Sequence, residues 1–328
     1  MTTSLIAFGA NLGNRTETLD QTCQRLSSHE EITRIARSRP YQTSPIGGPA
    51  GQEDFLNAAL LIDTSLSPRQ LLLLLQTIET ELGRQRQQRW DQRPIDLDLL
   101  LYDTLTIDEE ELQIPHPHMA FRRFVLEPAV EIAPALIHPS SGWTIQQLYE
   151  HLNSATNYLA LIGPTGSGKT KLARDVCDRL GGQLALAPAL PATSEAPEEV
   201  ETQLMEKRLQ QLDAIAELIT PSTGSGTTLT FAISDFWLNQ SYAYVRKTLS
   251  QEAQEQFQDR WKTTVSQALQ PKLRVLLDPA AGETSPSGVQ QVLRELALQP
   301  FQGPLLHLTD CHPLAVVEEV SAAVLSMQ

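Results

Sequence analysis

The first half of the chain alternates between two kinds of hydrophobic spacing. Segments in which apolar side chains recur at every second residue predict strands, and segments with a spacing near 3.6 residues predict helices. The predicted strands are Ser4–Ala10, Thr33–Tyr41, Phe55–Asp63 and Ile95–Tyr102, and the predicted helices are Arg15–Leu26, Leu66–Leu82 and Phe124–Ile132. Because few of these elements form β–α–β units, the order predicts an α+β domain in which helices pack against a mainly antiparallel sheet.

The character of the chain changes around residues 152–157. A short apolar strand, Tyr158–Ile162, precedes a glycine-rich turn and a helix from Lys171 to about Leu180. Later elements are predicted at Glu198–Leu218 (a helix) and at Leu229–Ser234, Leu273–Leu277 and Leu305–Leu308 (strands). Strands that alternate with helices predict a doubly wound α/β domain. We therefore expect two domains, residues 1–153 and 158–328, joined by a short linker at residues 154–157.

Composition excludes several classes of protein. The chain has 328 residues, 41% of them hydrophobic, which is enough for two cores, but no apolar run approaches the length of a membrane span. The N-terminus lacks the features of a signal peptide, and the three cysteines are too far apart for a disulfide framework or a metal knuckle. We therefore expect a cytoplasmic protein without a membrane partner. The net charge of −14 argues against a nucleic-acid partner, because phosphate backbones need a basic face.

Two aspartates interrupt the apolar strand Ile95–Tyr102. Asp96 and Asp98 are two residues apart and share one face of the strand, where two unpaired like charges would be costly to bury. Four arginines, at positions 84, 86, 89 and 93, lie in the segment just before the strand or border it. A divalent metal such as Mg²⁺, which bridges carboxylates to a small polyanion, explains this arrangement. The alternative is an arginine–aspartate ion-pair network that holds the loop in place.

The turn after Tyr158–Ile162 reads GPTGSGKT, from Gly163 to Thr170. It matches the G-x-x-x-x-G-K-[ST] pattern in the context that the pattern requires, a strand before it and a helix after it. Gly163, Gly166 and Gly168 let backbone N–H groups close around a phosphate, and the helix N-terminus adds positive potential. We expect Lys169 to reach the terminal phosphates and the Thr170 hydroxyl to help hold Mg²⁺. A similar stretch, PSTGSGTT at residues 221–228, lacks the lysine and is interpreted as a loop.

Five segments of the first domain occur in the order and spacing of a known family. They are FGANLGNR, YQTSPIGG, DFLNAAL, GRQRQQRWDQRPIDLDLLLY and IPHPHMAFRRFVLEPAVEIAP. Residues 1–153 resemble 6-hydroxymethyl-7,8-dihydropterin pyrophosphokinase over nearly the full length of that family. The resemblance implies a ferredoxin-like α+β fold. It also implies an enzyme of folate biosynthesis that transfers pyrophosphate from ATP to the hydroxymethyl group of the pterin and releases AMP.

The same resemblance implies roles for individual residues. Asp96 and Asp98 would hold two Mg²⁺ ions that bridge the ATP phosphates, and Arg84 and Arg93 would close on the triphosphate as catalytic groups. Further ATP contacts are implied for Gln76, Glu79, Arg86, His116 and Arg122. Pterin contacts are implied for Thr43, Pro45, Ile46, Phe55, Asn57 and Phe124. Stacking on two phenylalanines and a polar rim suit a flat heterocycle.

One segment departs from the family pattern. Asp91-Gln92 stands where the family usually has Gly-Pro, in a loop that is expected to close over ATP. The change bears on rate and loop closure more than on the reaction, and Asp91 adds a negative charge near the triphosphate. No residue is marked by its sequence context as a general base.

The second domain resembles the deoxynucleoside kinase-like P-loop family over residues 157–280 at most. GPTGSGKT, AISDFWLNQSYAYVRKTLS and RVLLD follow the order of that family, and Asp235 falls at the position of its acid/base carboxylate. Ala187-Pro188 stands in place of the expected Glu-Pro, and no arginine-rich lid follows Asp278. We therefore expect this domain to bind a nucleotide without phosphorylating nucleosides.

Two other functions stay open at this point. One is a bifunctional enzyme whose second domain is an active deoxynucleoside kinase. The other is a binding protein that senses nucleotide and pterin without turnover. An oligomer formed through the second domain is also open.

Overall fold

The computed structural model describes residues 1–49, 51–84, 92–189, 197–219, 231–278, 288–309 and 312–328. The predictions for Arg86, Arg89, Asp91 and residues 221–228 lie outside these ranges. Contacts divide the chain into two compact units, Met1–Asn153 with Ala322–Gln328, and Ser154–Ser321. Both units mix helices and strands, which confirms the mixed class predicted from the hydrophobic spacing. No helix in the described ranges combines the length and the hydropathy that crossing a bilayer requires.

The sheet of the first unit has the strand order β2-β4-β1-β5, with β3 paired to β4. Its strands are β1 (Thr2–Ala10), β2 (Ile32–Arg37), β3 (Tyr41–Thr43), β4 (Phe55–Thr64) and β5 (Asp96–Tyr102). All of these pairs are antiparallel, as predicted. A short hairpin that the spacing did not predict, β6 (Ile107–Glu109) with β7 (Leu112–Ile114), follows β5.

Four helices lie in the described part of residues 1–154. They are α1 (Arg15–Ser27), α2 (Pro68–Glu81), α3 (Arg123–Ile132) and α4 (Ile145–Ser154). The side chain of Asn14 caps α1, and Ser67 forms a capping box with Gln70 at the start of α2. The helix α4 was not predicted.

The alternation of side chains gives the two faces of this sheet different roles. Ile6 and Phe8 of β1, with Leu60 of β4 and Leu99 of β5, pack with residues of α1 and α2 in one apolar core. The opposite face carries Ala7 and Gly9 on the central strand β1, and α3 packs against β4 and β1. Two small residues at the centre of that face leave room above the sheet.

One predicted strand is two strands, so the prediction Thr33–Tyr41 was wrong as a single element. β2 ends at Arg37, and pairing with β4 resumes only at Tyr41. Between them, Ser38 makes both backbone hydrogen bonds of Ala59. The Ser38 N–H donates to the Ala59 carbonyl oxygen, and Ser38 Oγ accepts from the Ala59 N–H, each at 3.0 Å. Pro40 has no N–H to continue the ladder. The interruption lets β3 pair beside the beginning of β4, where Thr43 reaches Asn57.

The sheet of the second unit is parallel, with the order β12-β11-β8-β10-β9. Its strands are β8 (Tyr158–Ile162), β9 (Gln183–Ala185), β10 (Ala232–Ser234), β11 (Leu273–Leu277) and β12 (Leu305–Leu308). The helices that the structure describes after Tyr158 are α5 (Lys169–Leu180), α6 (Pro197–Ile219), α7 (Gln240–Thr248), α8 (Gln251–Gln267), α9 (Gly288–Ala297) and α10 (Pro313–Ser326). Three predicted starts change. α5 begins at Lys169 rather than Lys171, with Gly168 as its N-cap, and α6 begins at Pro197 rather than Glu198. The described part of the strand predicted at Leu229–Ser234 begins at Ala232.

Candidate active site

Three adjacent strands place the predicted site residues in one row of the first unit. Asp96 of β5 lies opposite Gly9 of β1, and Gly9 lies opposite Asn57 of β4. Asp98 lies opposite Ala7 in the same way. Because side chains alternate along a strand, these residues share one face of the sheet. The two aspartates therefore stand on one side of a floor of small residues, and Asn57 stands on the other side.

A cavity of about 560 Å³ opens above this floor. Its volume is in the range of small-molecule sites. The predicted residues that line it are Thr43, Pro45, Ile46, Phe55, Asn57, Arg84, Arg93, Asp96, Asp98, His116, Arg122 and Phe124. The structure thus brings most of the residues predicted for ATP and for the pterin into one site.

Asp96 lies between two arginines. Arg84 Nη1 is 2.6 Å from Asp96 Oδ1, and Arg93 Nη1 is 2.7 Å from Asp96 Oδ2. Burial and the neighbouring charge of Asp98 raise the pKa of the Asp96 carboxyl, and the two arginines act in the opposite direction. The ion-pair network that was the alternative to a metal is therefore present at Asp96.

Asp98 differs from Asp96 because no hydrogen bond or ion pair joins its carboxylate to the described residues. Two carboxylates on one face repel each other, and a divalent cation would remove that repulsion. Within the described ranges, no three His, Cys, Asp or Glu side chains cluster as a metal site. A cation held by Asp96 and Asp98 would thus take its other ligands from phosphate oxygens and water. Mg²⁺ prefers this set of ligands, so the residues present fit Mg²⁺.

Glu79 lies behind this group and is 3% exposed. Arg84 donates to its Oε1, and the backbone N–H of Leu97 donates to the same oxygen at 2.7 Å. Burial raises the pKa of the Glu79 carboxyl, and Arg84 opposes this effect. Among the described residues that line the cavity, neither Glu79 nor Gln76 is found, although both were expected to contact ATP. Glu79 instead holds Arg84 against β5.

Each of the two predicted stacking rings is accompanied by an arginine. Phe55 begins β4, and the Arg93 guanidinium carbon lies 6.0 Å from its ring centroid. Phe124 lies in the first turn of α3, and the Arg122 guanidinium carbon lies 5.6 Å from its ring centroid. A cation near an aromatic face is favourable, and both arginines also face the cavity.

Asn57 has a fixed position on the floor of the cavity. Its Nδ2 donates to Thr43 Oγ1 at 2.7 Å, and the residue is 8% exposed. A Cβ at position 9 would lie 2.3 Å from Asn57 Oδ1, so the place of this amide requires glycine at position 9. Asn57 Oδ1 therefore faces the central strand β1, and the amide group forms part of the cavity wall.

His116 and Arg122 come from the segment that follows β7. Burial and the Arg122 charge lower the pKa of His116 to about 4, so its ring is neutral at pH 7. His118 was not predicted as a site residue, but its Nδ1 lies 2.6 Å from Arg122 Nη2 and it lines the cavity. Gln52 also lines the cavity and was not predicted. The HPH spacing could have indicated His118, whereas no sequence signal marked Gln52.

The glycine-rich turn of the second unit encloses its own lysine. Lys169 Nζ donates to the carbonyl oxygens of Gly163 and Pro164, at 2.8 and 2.7 Å. Gly166 and Gly168 have φ values of 85° and 83°, which side chains rarely adopt. Burial lowers the pKa of Lys169 to about 8, partly offset by Asp235 and reinforced by Arg208. The turn thus has the backbone shape of a phosphate cradle, with a buried amine that a phosphate would stabilise.

Asp235 contacts this turn directly. Thr170 Oγ1 donates to Asp235 Oδ2, and the N–H of Ala187 donates to Asp235 Oδ1. The structure therefore brings together Gly163, Gly166, Gly168, Lys169, Thr170 and Asp235, the residues expected to form the nucleotide site of this unit. A buried arginine was missed: Arg208 of α6 donates to Ser241 Oγ, and burial lowers its pKa. Because Arg208 lies on a helix with a regular pattern of polar residues, its sequence context did not mark it as a buried residue.

Comparison with known proteins assigns the first unit to a family. The sequence model of the 7,8-dihydro-6-hydroxymethylpterin-pyrophosphokinase family matches residues 5–134. The chain is 41% identical over 153 residues to the 2-amino-4-hydroxy-6-hydroxymethyldihydropteridine pyrophosphokinase of Methylorubrum extorquens, a match that spans 47% of this chain and 95% of that protein. The protein of the same name from Bacillus subtilis is 46% identical over 127 residues, which spans 39% of this chain and 75% of that protein.

Among solved structures, a deoxyadenosine kinase from M. mycoides with bound dCTP is matched over 50% of this chain and 96% of its own chain. The sequence identity is 12% and the TM-score is 0.36, which does not establish a shared fold. The relatives of the first unit are far closer. Since one of them is covered over nearly its whole length at 41% identity, the chain belongs to the 7,8-dihydro-6-hydroxymethylpterin-pyrophosphokinase family.

Proposed function

We propose that the first unit transfers pyrophosphate from ATP to 6-hydroxymethyl-7,8-dihydropterin and yields the pterin diphosphate and AMP. The observation that carries this proposal is the row Asp96–Gly9–Asn57 across three strands. In this row, Asp96 is proposed for metal and phosphates and Asn57 for a flat heterocycle, and a single small residue, Gly9, separates them. Pyrophosphoryl transfer needs those two substrates side by side.

The triphosphate side is formed by four charged residues. Arg84 and Arg93 now neutralise Asp96, and both can turn their guanidinium groups to phosphate oxygens, for which their geometry is suited. Asp96 and Asp98 would hold two Mg²⁺ ions. When bound, Mg²⁺ neutralises phosphate charge and stabilises the charge of the transferred group. Arg122 adds a further positive charge, and the neutral His116 can hydrogen-bond without adding to it.

The pterin side is formed by two rings and an amide. Phe55 and Phe124 stack on the heterocycle, and the Asn57 amide bonds to its polar edge. Backbone groups at Thr43, Pro45 and Ile46 complete that edge. Stacking and edge contacts together give specificity for the pterin, because only a ring with a matching hydrogen-bonding edge satisfies the buried amide of Asn57.

Catalysis rests on position and charge. The floor of small residues allows the pterin hydroxyl to approach the β-phosphorus in line with the AMP leaving group. Arg84 and Arg93 stabilise charge on the oxygens of the transferred group, and their closure over the triphosphate excludes water as a competing nucleophile. Four strands in the order β2-β4-β1-β5, with α1 and α2 packed on one face, support a ferredoxin-like fold for this unit.

For the second unit, we propose a doubly wound P-loop fold that binds ATP or a related nucleotide with Mg²⁺. The support is the turn at residues 163–170, with Lys169 buried in it and Thr170 beside Asp235. Position 187, where the deoxynucleoside kinase-like family has its glutamate, is an alanine whose N–H only holds Asp235. A non-catalytic role therefore has more support than the alternative, an active deoxynucleoside kinase. A cytoplasmic location, the lack of a nucleic-acid partner and an oligomer through the second unit remain predictions.

The proposal is tested with the purified full chain, ATP, Mg²⁺ and 6-hydroxymethyl-7,8-dihydropterin. We expect AMP and the pterin diphosphate in equal amounts by mass spectrometry, and loss of both on removal of Mg²⁺ with a chelator. Asp98→Asn should abolish the reaction, whereas Asp108→Asn, an exposed aspartate of β6, should not. Tight binding of both ligands without AMP would instead favour the sensing function.

A further inference from the structure

A buried amide joins the two sides of the cavity. Asn11 directly follows β1 and is completely buried. Its Oδ1 accepts a hydrogen bond from the backbone N–H of Arg93 at 2.9 Å, and its own N–H donates to the carbonyl oxygen of Arg93 at 3.2 Å. Its Nδ2 donates to the carbonyl oxygen of Glu53 at 3.3 Å and to Gln52 Oε1 at 3.2 Å. One side chain therefore contacts two loops that are distant in sequence.

The chemistry of its partners fixes the orientation of this amide. The backbone N–H of Arg93 can only donate, and the carbonyl oxygen of Glu53 can only accept. The side chain must therefore present an oxygen to one loop and an N–H to the other. Aspartate lacks the donor, and alanine lacks both groups, so among close replacements only an amide can satisfy both loops.

Each loop leads to one of the two substrates. On one side, Gln52 Nε2 donates to the carbonyl oxygen of Gly47 at 3.3 Å, and Gly47 follows the pterin-side residues Pro45 and Ile46. On the other side, Arg93 Nη1 reaches Asp96. A continuous path of hydrogen bonds thus runs from the pterin-side loop through Asn11 to the arginine and the carboxylate of the triphosphate side.

We infer that Asn11 is a positioning residue that couples the pterin-side loop to Arg93. When the pterin orders this loop, Gln52 and Glu53 take fixed positions and hold the amide of Asn11. Asn11 in turn fixes the backbone of Arg93, so the Arg93 guanidinium is held in place for the triphosphate. By reciprocity, a nucleotide that orders Arg93 favours the pterin-side loop in its binding position. This inference rests on the proposed function of the first unit.

A purely structural role would predict a different outcome. Asn11 could serve only to stabilise the turn after β1, in which case its loss would lower stability and leave the relation between the two ligands unchanged. Asn14 provides the matched control, because it lies three residues further on, caps α1 through Glu17 and has no hydrogen bond to the described residues of either loop. Its replacement removes a local hydrogen bond of the same kind without breaking the path.

The test uses Asn11→Ala, Asn11→Asp, Gln52→Ala and the control Asn14→Ala in the full chain. Calorimetry with a non-hydrolysable ATP analogue, with and without the pterin, measures how much each ligand tightens the binding of the other. We expect the wild-type protein and Asn14→Ala to show the same coupling factor. In the Asn11 variants, we expect this factor to be smaller by about 5-fold or more. We also expect kcat to fall on the order of 10- to 100-fold, because Arg93 is displaced.

Gln52→Ala cuts the same path from an exposed loop, so it keeps the inference open to test if the buried Asn11 variants do not fold. It should lower the coupling factor in the same direction by a smaller amount, since Asn11 keeps its bond to Glu53. Coupling equal to that of Asn14→Ala in all folded variants would overturn the inference. The binding readout does not depend on turnover, so a failure of the proposed reaction would be seen separately, as absence of AMP with the wild-type protein.

Discussion

The two regions of this chain for which we propose phosphate binding are built in different ways. In the first unit, the charged groups come from β5 and from the segments next to α2, β5 and α3, and they surround a cavity above a floor of small residues. In the second unit, one run of eight residues supplies the turn, the lysine and the hydroxyl, and its distant partners include Asp235 at Thr170 and Tyr244 at Thr165. The first site is a property of the tertiary structure, whereas the second is a property of a local segment.

The two regions differ in how closely their structure specifies a function. A local turn with a lysine indicates that a phosphate binds, but the same turn serves many reactions and some proteins without any reaction. The first site combines two carboxylates, three arginines and two phenylalanine rings in one arrangement, which suits the pair of substrates that we propose. Related proteins of 41% and 46% identity support that conclusion for the first unit alone.

The largest expected effect comes from the same substitution at each site. Asp98→Asn should lower AMP formation on the order of 10²- to 10³-fold or more, because the neutral amide cannot hold the metal that stabilises the transferred group. Asp235→Asn should leave AMP formation unchanged. Thermal unfolding should show no loss of stability for Asp98→Asn, since a like-charge repulsion with Asp96 is removed. Near-normal AMP formation by Asp98→Asn at millimolar Mg²⁺ would show that the metal site is elsewhere.

The reverse comparison uses Lys169→Ala in the full chain. We expect calorimetry with a non-hydrolysable ATP analogue to find two sites in the wild-type protein and one in the variant. Loss of hydrogen bonds from a charged amine weakens the second site on the order of 10- to 100-fold. AMP formation by the first unit should stay within about 2-fold of wild type, because no residue is shared. Two intact sites in the variant would refute the assignment of the P-loop.

A smaller effect separates the two ligands within the first site. Phe124→Ala removes one stacking face and should weaken pterin binding by on the order of 1–3 kcal/mol, with less effect on the ATP analogue. Phe301→Ala, an exposed phenylalanine of the second unit, is the control. Equal losses for both ligands in calorimetry would indicate a general loss of structure rather than a pterin pocket.

The final effect is a pH dependence of stability in the first unit. Burial holds the pKa of His116 and of His138 at about 4, below the ordinary value of 6.5. Their contribution to stability is therefore complete above pH 6.5 and is lost as pH falls toward 4, by up to about 1.4 kcal/mol per pH unit for each group. His138→Gln should flatten this slope in hydrogen-exchange mass spectrometry of β1 and β5 peptides. The exposed His312→Gln should not, and an unchanged slope in His138→Gln would exclude this cause.

Patterns along the chain predicted the elements that carry the chemistry. The alternation in Ile95–Tyr102 placed Asp96 and Asp98 on one face, and the structure confirms that both lie on the face opposite the core. The glycine-rich turn was equally predictable because its function is local. The break at Ser38 was missed, since a serine that substitutes for a ladder partner has no distinct pattern.

Residues that act through distant partners could not be predicted in this way. Asn11 and Arg93 are 82 positions apart, and nothing in the spacing of either segment shows that they meet. Gln52 lies in a loop without periodicity, and Arg208 has the environment of a buried residue only once α6 and α7 are in place. Such residues depend on tertiary contacts, which the period of a helix or a strand does not encode.

The identity of the nucleotide product tests the central claim most directly. ATP labelled at the α-phosphate is incubated with the full chain, Mg²⁺ and 6-hydroxymethyl-7,8-dihydropterin, and the labelled products are separated by chromatography. Transfer of pyrophosphate predicts that all product label is in AMP, that AMP forms only when the pterin is present, and that Lys169→Ala gives the same result. Label in ADP, or AMP formed without the pterin, would contradict the account.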